Sequence, residues 1–349
     1  MSSDIITIGS GTIDVFIECD SANIVSVASK NKSTDFMSFS YGSKLEVEGF
    51  SAEIGGGGIN TAANFAHLGF KTSTIIKLGH DFIKKTILKN IEKLGIDDNC
   101  ICYDEKEHSG FSVILMSFQG DRTVLAHRGA NAKLRKEDIN WDAIKKAKWL
   151  YLAPLNGESA YILDELAEFA EKHDVNMALN VGTTNIKQGK DTLDKVIKTA
   201  EILIMNAEEA SMLTEIEIRP DTKDIKYSEE IIHPDIRKML VMLKNMGAKV
   251  VVITDGRKGS YAYNGKDFYQ CDEYPAKVKS TLGAGDCFAS TFVASMEKTD
   301  WNIEKSLKYA TVNSASKIET AGAQKGFLTF KEIKKALENQ DCKLQKLKY

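Results

Sequence analysis

The segment Ser-Thr-Leu-Gly-Ala-Gly-Asp at 280–286 leads directly into a helical pattern. The small residues Gly283, Ala284 and Gly285 leave backbone N–H groups uncovered at a helix start, where the helix dipole also attracts anionic oxygens. Asp286 would repel an anion that is merely held there. It fits if the anion is a phosphoryl group in transit and the carboxylate accepts the proton of the attacking hydroxyl. A Gly-rich turn with an acid in the first helical turn is the structural alternative.

A second glycine run, followed by an asparagine, offers binding groups for a polyol. Gly55 and Gly56 begin four consecutive glycines that let the main chain approach a ligand closely, and Asn60 supplies both a donor and an acceptor. A flexible loop before a helix is the alternative. Asp14 follows the first strand and turn, where a carboxylate can accept hydrogen bonds from two neighbouring hydroxyls.

Two nucleotide-binding motifs of other folds are excluded. The pair Gly9 and Gly11 lacks the third glycine of a dinucleotide-binding loop, because Asp14 occupies that place. The chain also contains no GxxxxGK[ST] phosphate-binding loop.

Two further motifs follow predicted strands. Asn206 and Glu209 are spaced like a capping box, which requires no ligand. The segment Thr254–Gly259 is typical of a hairpin turn into a strand at Ser260–Tyr263.

Composition favours a globular α/β protein and excludes several other classes. The 349 residues are 43% hydrophobic, and 46 basic residues nearly balance 49 acidic ones for a net charge of −3, so we expect no nucleic-acid or anionic-membrane partner. The chain contains no run of about 18 apolar residues, so we expect no membrane span. The N-terminus lacks a secretory pattern. The six cysteines form no CxxC or zinc-like cluster, which indicates free thiols in the cytoplasm.

The elements that must position these residues alternate between strands and helices. Alternation predicts a mostly parallel central sheet with helices on both faces, a three-layer α/β/α fold in one domain covering 1–349. The predicted strands of this sheet are Ile5–Ile8, Thr72–Leu78, Trp149–Leu152, Met177–Val181, Ile202–Met205 and Val250–Thr254. Two β-rich outliers, about 15–50 and 106–127, would form a small separate sheet, and 215–233 would be a charged surface loop. Ligands of such folds bind at the carboxyl ends of the strands.

These segments together resemble the ribokinase-like (PfkB) carbohydrate kinases over nearly the whole chain and in the right order. The stretch 55–69 (GGGGINTAANFAHLG) resembles the N-terminal signature, and 280–286 resembles the C-terminal DTxGAGD signature. The stretches 206–209, 254–259 and 129–131 resemble the NxxE motif, the TxGxxG nucleotide turn and a Gly-Ala-Asn that follows a hairpin in the ribokinase branch. Each motif is weak alone, but five in register are highly specific.

The resemblance implies an ATP-dependent phosphotransferase that phosphorylates a hydroxyl of a small sugar. It implies Asp286 as the general base, and an anion hole of Gly283, Ala284 and Gly285. It implies that the substrate is bound by Asp14, Gly55, Gly56 and Asn60. Phosphates and Mg²⁺ would be bound by Asn206 and Glu209, with the metal held at Glu209 through water. The nucleotide would be bound by Thr254, Gly256 and Gly259, with Thr311 at the adenine side. The β-rich outliers would be a lid that in many relatives pairs two subunits into a homodimer.

Four departures from the family pattern concern cation and sugar specificity. Ser280 and Gly326 replace the usual Asp and Ser of the monovalent-cation loop, which leaves a potassium requirement open. Gly57 stands where ribokinases carry Lys, and Asn156 aligns with their substrate-contacting Glu. Both changes alter the charge of the sugar pocket, so the sugar is not fixed.

Two other functions are compatible with the same motifs. A nucleoside kinase of this fold would use a base-stacking aromatic of the lid, such as Phe16, Phe36 or Tyr41. A non-catalytic sugar or nucleotide sensor would need no base, so an intact Asp286 argues against it.

Overall fold

The computed structural model describes residues 3–29, 32–117, 122–189, 191–220 and 232–348. The strands in these ranges are β1 (Ile5–Ile8), β2 (Thr12–Cys19), β3 (Asn23–Ser29), β4 (Lys32–Ser38), β5 (Gly49–Gly55), β6 (Thr72–Ile75), β7 (Lys77–Gly79), β8 (Cys102–Asp104), β9 (Gly110–Ser117), β10 (Arg122–His127), β11 (Trp149–Leu152), β12 (Asn176–Asn180), β13 (Ile202–Asn206), β14 (Val250–Thr254), β15 (Ser260–Tyr263), β16 (Asp267–Cys271) and β17 (Leu344–Lys348).

The α-helices of the same ranges lie mostly between these strands in the sequence. They are α1 (Gly57–His67), α2 (Phe82–Lys93), α3 (Trp141–Lys146), α4 (Leu163–Lys172), α5 (Thr183–Lys187), α6 (Asp191–Thr199), α7 (Ala207–Thr214), α8 (Pro234–Asn245), α9 (Ala284–Lys298), α10 (Ile303–Ile318) and α11 (Phe330–Asn339).

The central sheet has nine strands within the described ranges, in the order β17-β16-β15-β14-β13-β12-β11-β1-β6. Every pair from β6 to β14 is parallel, and β15 to β17 add antiparallel strands at one edge. Two hydrophobic cores lie on the two faces of this sheet, and alternate residues of an inner strand belong to different cores. In β1, for example, Ile6 and Ile8 belong to one core and Ile5 to the other. Helices cover both faces, which confirms the predicted three-layer α/β/α architecture.

The two β-rich outliers meet in a second, smaller sheet. Its order is β10-β9-β2-β5, and β2 pairs parallel to β9 and antiparallel to β5. Strands β9 and β10, from the outlier at 106–127, form an antiparallel hairpin, whose connection at 118–121 lies outside the described residues. Strands β3 and β4 pair only with each other among the described strands. We call the β10-β9-β2-β5 layer the small sheet.

Some elements differ from the sequence prediction. The apolar run 72–78 is not one strand, because the chain leaves the central sheet after β6 and pairs again as β7 with β8. A 3-10 turn at Gly157–Ile162 precedes α4. Strand β17 was not predicted, because its sequence LQKLK is charged and half-exposed and the backbone ladder with β16 holds it. Of the predicted charged loop at 215–233, residues 221–231 lie outside the described ranges.

The side chain of Asn131 holds the turn between β1 and β2. Its Oδ1 accepts from the Gly11 N–H and its Nδ2 donates to the Gly11 carbonyl, each at 2.9 Å. Asn131 itself is buried. This one amide group therefore satisfies both polar atoms of a buried glycine whose turn leads to Asp14.

We expect Asn131→Ala to lower the free energy of unfolding by about 2 to 4 kcal/mol, because it leaves two buried backbone groups unpaired. Urea unfolding followed by circular dichroism measures the change. Asn245→Ala, at an exposed position of α8, should stay within about 0.5 kcal/mol of the parent protein. Equal stabilities for the two variants would contradict the role assigned to Asn131.

Candidate active site

Asp286 lies in the first turn of α9, at the carboxyl edge of the central sheet. The helix begins after Gly283, whose φ of +73° is unfavourable for any residue with a side chain, and a Cβ there would approach the Ala323 carbonyl oxygen at 2.9 Å. Burial raises the pKa of the Asp286 carboxyl, and a hydrogen bond from Asn60 opposes that rise. A carboxylate with a raised pKa is a stronger proton acceptor, and it loses this capacity as the pH falls below that pKa.

Asn60 holds the Asp286 carboxylate in place. Its Nδ2 donates to Asp286 Oδ2 at 2.8 Å, and its Oδ1 accepts from Gln324 Nε2 at 3.2 Å. Asn60 is only 4% exposed. The amide predicted to bind substrate is thus engaged within the protein, and in this structure it orients the acid.

A buried amide network fixes α9 between α1 and α10. Asn64 Nδ2 donates to Ser290 Oγ and Thr291 Oγ1, both at 2.8 Å, and Asn313 Nδ2 donates to Thr291 Oγ1 at 2.8 Å and to Asn64 Oδ1 at 3.1 Å. Ser290 Oγ in turn donates to the Asp286 carbonyl at 2.5 Å. Sequence reasoning missed Asn64 and Asn313. The signal that could have found them is an amide on the otherwise apolar face of a helix.

The backbone amides of 283–285 are only partly available to an anion. The Ala284 N–H donates to the Thr281 carbonyl at 3.2 Å, so it is occupied in this structure. The Gly283 and Gly285 N–H groups make no hydrogen bond to any described residue. Gly285 is exposed, and a Cβ at that position would meet nothing within 4 Å. Of the three amides of the predicted anion hole, those of Gly283 and Gly285 are therefore unpaired among the described residues, and that of Ala284 is bonded within the protein.

Asp14 lies on β2 of the small sheet with one carboxylate oxygen satisfied by the protein. Ser112 Oγ and, at 3.3 Å, Thr12 Oγ1 donate to Oδ1, while no described donor reaches Oδ2. Burial raises the pKa of this carboxyl, and the two hydroxyl hydrogen bonds oppose the rise. A Cβ on Gly55 would overlap Oδ2, so the glycine leaves that oxygen accessible. One oxygen of Asp14 is free to accept from a ligand.

The remaining glycines of the run are required by close packing. Gly56 has a φ of +96°, and a Cβ there would overlap the Ser10 carbonyl oxygen. A Cβ on Gly57 would lie 3.0 Å from Ala153 Cβ and 3.8 Å from Asp286 Oδ1. A side chain at position 57 would thus extend beside the acid, and its absence leaves room there for a ligand.

Tyr151 was not predicted as part of this region. It is fully buried on β11, two residues before Ala153, and its hydroxyl has no hydrogen-bond partner among the described residues. Burial and the nearby Asp286 carboxylate raise the pKa of the Tyr151 hydroxyl far above its usual range. The hydroxyl therefore remains protonated next to the acid.

Asn206 and Glu209 form the capping box that their spacing allows. Asn206 Oδ1 accepts from the Glu209 N–H at 2.8 Å, and Glu209 Oε2 accepts from the Asn206 N–H at 3.0 Å. Burial raises the pKa of Glu209, against hydrogen bonds from the backbone of Asn206 and Thr183. A carboxylate has about four acceptor positions, so these two bonds leave Glu209 able to accept from metal-bound water.

The predicted nucleotide turn lies beside Asn206. Thr254 is the register partner of Asn206 in the parallel β13–β14 pair, and the chain returns antiparallel as β15, as the hairpin reading predicted. Gly256 and Gly259 have φ of +51° and +89°, and a Cβ on Gly259 would overlap the Cys271 carbonyl oxygen. Both glycines are thus demanded by the turn itself.

Thr311 adjoins this turn from α10. It is buried, and its Oγ1 lies 3.7 Å from Cys271 Sγ, next to the backbone that Gly259 packs against. The structure thus brings Thr311 close to the turn but directs its hydroxyl into the contact between α10 and β16.

The loop after α10 joins the small sheet to the acid, and the contacts of Gln324 and Lys325 in it were not predicted. Gln324 Nε2 contacts the Ile54 carbonyl at 3.3 Å as well as Asn60, and Lys325 Nζ pairs with Glu53 Oε1 at 2.8 Å. Gly322, with a φ of +94°, packs against the same Glu53 carboxylate. A displacement of β5 would therefore alter the hydrogen bond between Gln324 and Asn60.

Two of the departures from the family pattern lie near this loop. Ser280 Oγ accepts from the Leu282 N–H at 3.3 Å, and Gly326 has a φ of +82°, where a Cβ would approach the Ser316 carbonyl. Asn156, half-buried, precedes the 3-10 turn at Gly157–Ile162 near the end of β11.

Comparisons with known proteins match most of this chain. The model of the pfkB family of carbohydrate kinases matches residues 21–329. The bifunctional ribokinase/ribose-5-phosphate isomerase A of Fructilactobacillus sanfranciscensis is 28% identical over 304 residues, covering 86% of this chain and 52% of that protein. The chain thus spans about half the length of that relative.

Two further proteins match over almost their full length. The ribokinase of Staphylococcus aureus is 25% identical over 295 residues, covering 84% of this chain and 91% of the relative. The structure of Arabidopsis thaliana ribokinase, solved with ribose and ATP, has a TM-score of 0.76 at 23% identity and covers 97% of this chain and 99% of that one. Fold, motif order and family match lead to one assignment: the chain belongs to the pfkB family of carbohydrate kinases.

Proposed function

We propose that this kinase transfers the terminal phosphoryl group of ATP to a hydroxyl of a small sugar. The observation that carries the proposal is the half-buried Asp286, held by Asn60 at 2.8 Å beside the unpaired N–H groups of Gly283 and Gly285. A proton acceptor next to free anion-binding donors suits an alcohol that attacks a phosphoryl group. Asp14 supports a polyol as the acceptor, because its free Oδ2 can accept from a sugar hydroxyl.

In the proposed mechanism the substrate hydroxyl lies between Asp286 and the terminal phosphate. Asp286 takes the hydroxyl proton as the new O–P bond forms and the bond to the nucleotide leaving oxygen breaks. Charge that develops on the transferring group is met by the N–H groups at the start of α9. Asn60 keeps the carboxylate from rotating out of line, and Gln324 keeps Asn60 in place.

The nucleotide would bind along the carboxyl edge of the sheet, against Thr254, Gly256, Gly259 and the nearby Thr311. Bound Mg²⁺ would neutralise phosphate charge, and Glu209 would hold it through water, since Mg²⁺ keeps several of its own waters. The contacts of Glu209 with the Asn206 and Thr183 N–H groups orient its carboxylate for that purpose.

The small sheet would act as a lid over the sugar, and two lids would pair in a homodimer. Exposed apolar side chains on and beside the small sheet support this pairing, among them Phe36, Phe50, Val124 and Leu125. Sedimentation equilibrium measures the subunit number directly.

No helix in the described ranges is both long and apolar enough to cross a membrane. The cytoplasm remains the expected compartment, a prediction that rests on the six free thiols, and fractionation of cells tests it.

A substrate panel tests the proposed function. We expect ADP release from ATP with at least one free pentose or hexose, measured by coupling ADP to NADH oxidation. Ribose, fructose, a sugar acid, adenosine and inosine should be compared, each with and without added potassium. Phosphorylation of a nucleoside alone would favour the nucleoside kinase, and specific binding of a sugar or of ATP without any turnover would favour the sensor.

Removal of the proposed base gives a sharper prediction. Asp286→Asn keeps the shape of the side chain but cannot accept a proton, so kcat should fall by about two to four orders of magnitude. Steady-state ADP release measures it, with Asp164→Asn on the exposed face of α4 as the matched control. A kcat of Asp286→Asn within a few-fold of the parent enzyme would remove this assignment.

The proposed sugar contact of Asp14 predicts a different kinetic signature. Asp14→Ala should raise the KM for the sugar about 10- to 100-fold, since hydrogen bonds to a charged group contribute about 1.5 to 3 kcal/mol. The KM for ATP should change little. Asp20→Ala, exposed just after β2, is the control. An unchanged sugar KM in Asp14→Ala would contradict the contact.

A further inference from the structure

Lys317 is a fully buried lysine with no partner for its ammonium group. It lies in the last turn of α10, its side chain is inaccessible to solvent, and Nζ makes no hydrogen bond to any described residue. No acidic side chain of the described ranges forms an ion pair with it. Burial lowers the pKa of this amine, and the neighbouring Cys287 thiol opposes that shift. A buried cation without a partner is expensive to maintain, so its position calls for an explanation.

The contacts of neighbouring residues place Lys317 beneath the start of α9. Ser314, one turn earlier on α10, donates from Oγ to the Ala284 carbonyl at 3.3 Å. Cys287, which lies close enough to raise the pKa of the Lys317 amine, belongs to the same first turn of α9 as Asp286. Gly283 packs on Ala323 of the loop that follows Lys317. The amine is thus enclosed by the last turn of α10, the first turn of α9 and this loop.

Two sets of unpaired polar groups therefore lie at the N-terminal end of α9. The amine of Lys317 has no counter-charge, and the N–H groups of Gly283 and Gly285 have no acceptor among the described residues. A negative group at the helix start would complete both. Low polarity around a buried charge strengthens its field, so Lys317 can act on such a group without touching it.

We infer that Lys317 is an electrostatic positioning residue, whose positive charge stabilises the transferring phosphoryl group from below the first turn of α9. The inference rests on the proposed function, because the anion it serves is the terminal phosphate of the nucleotide. In the free protein burial disfavours the charged form of the Lys317 amine, and an anion bound at the start of α9 would relieve that cost. Lys317 therefore couples the stability of the protein to occupation of the phosphate site.

Lys317→Met tests the coupling, because methionine fills similar space without charge. We expect Tm of the free protein to rise by about 1 to 4 °C, since replacing a buried charge by an apolar group often stabilises. The rise in Tm caused by MgATP, measured without sugar, should shrink by at least half. With the best sugar, kcat should fall about tenfold or more, while the sugar KM should change little. The expected loss of kcat is smaller than the roughly 100- to 1000-fold that follows removal of a donor in direct contact with the reacting oxygen, because Lys317 acts without touching it.

Two controls separate this role from a structural one. Lys305→Met removes an exposed lysine of the same helix and should match the parent protein in all three measurements. Lys317→Ala should lose activity and regain part of it, several-fold, when methylammonium is added, because a small cation can enter the space left by the side chain.

Several results would overturn the inference. Equal MgATP shifts and equal kcat for Lys317→Met and the parent protein would do so, as would failure of both Lys317 variants to fold. A parent protein that MgATP does not stabilise and that phosphorylates nothing in the panel would instead reject the proposed function, and this inference with it.

Discussion

The hydrogen bond from Asn60 to Asp286 is the interaction on which the site depends. It joins the start of α1 to the start of α9 across 226 residues of sequence, at 2.8 Å. Both helices begin at glycines that permit this approach, since Gly56 and Gly283 occupy backbone conformations that other residues rarely adopt. The carboxylate is half-buried, so without this amide it would have neither a fixed direction nor a partner.

The small sheet and the loop after α10 reach the acid through the same amide. Gln324 contacts both Ile54 of β5 and Asn60, and Lys325 holds Glu53 of β5. Asp14 lies across the ladder from Glu53. Asp14, which would bind the sugar, lies on the small sheet, and Asp286, which would deprotonate it, lies on α9. The contacts of Gln324 and Lys325 connect the two elements.

Much of this arrangement could be predicted from local sequence, because parallel strands and helix starts have strong local signals. The inner strands are short apolar runs, and glycines mark each turn where a ligand or backbone comes close. The functions of Asn60, Asn64, Asn313 and Gln324 could not be predicted, because their partners are distant in sequence. Nothing in the local sequence distinguishes Lys317 from the other lysines of α10, and only packing reveals that it is buried. The occupied N–H of Ala284 depends on a local turn that the glycine pattern does not specify.

The order of these contacts along the chain has a consequence for synthesis on the ribosome. Asn60 emerges early, but its partners Asp286 and Gln324 lie 226 and 264 residues later. A nascent chain therefore carries the early glycine run and Asp14 long before it holds a fixed acid, and such distant pairing forms late in folding. Phosphoryl transfer would thus begin only after nearly the whole chain has emerged, and incomplete chains would not consume nucleotide.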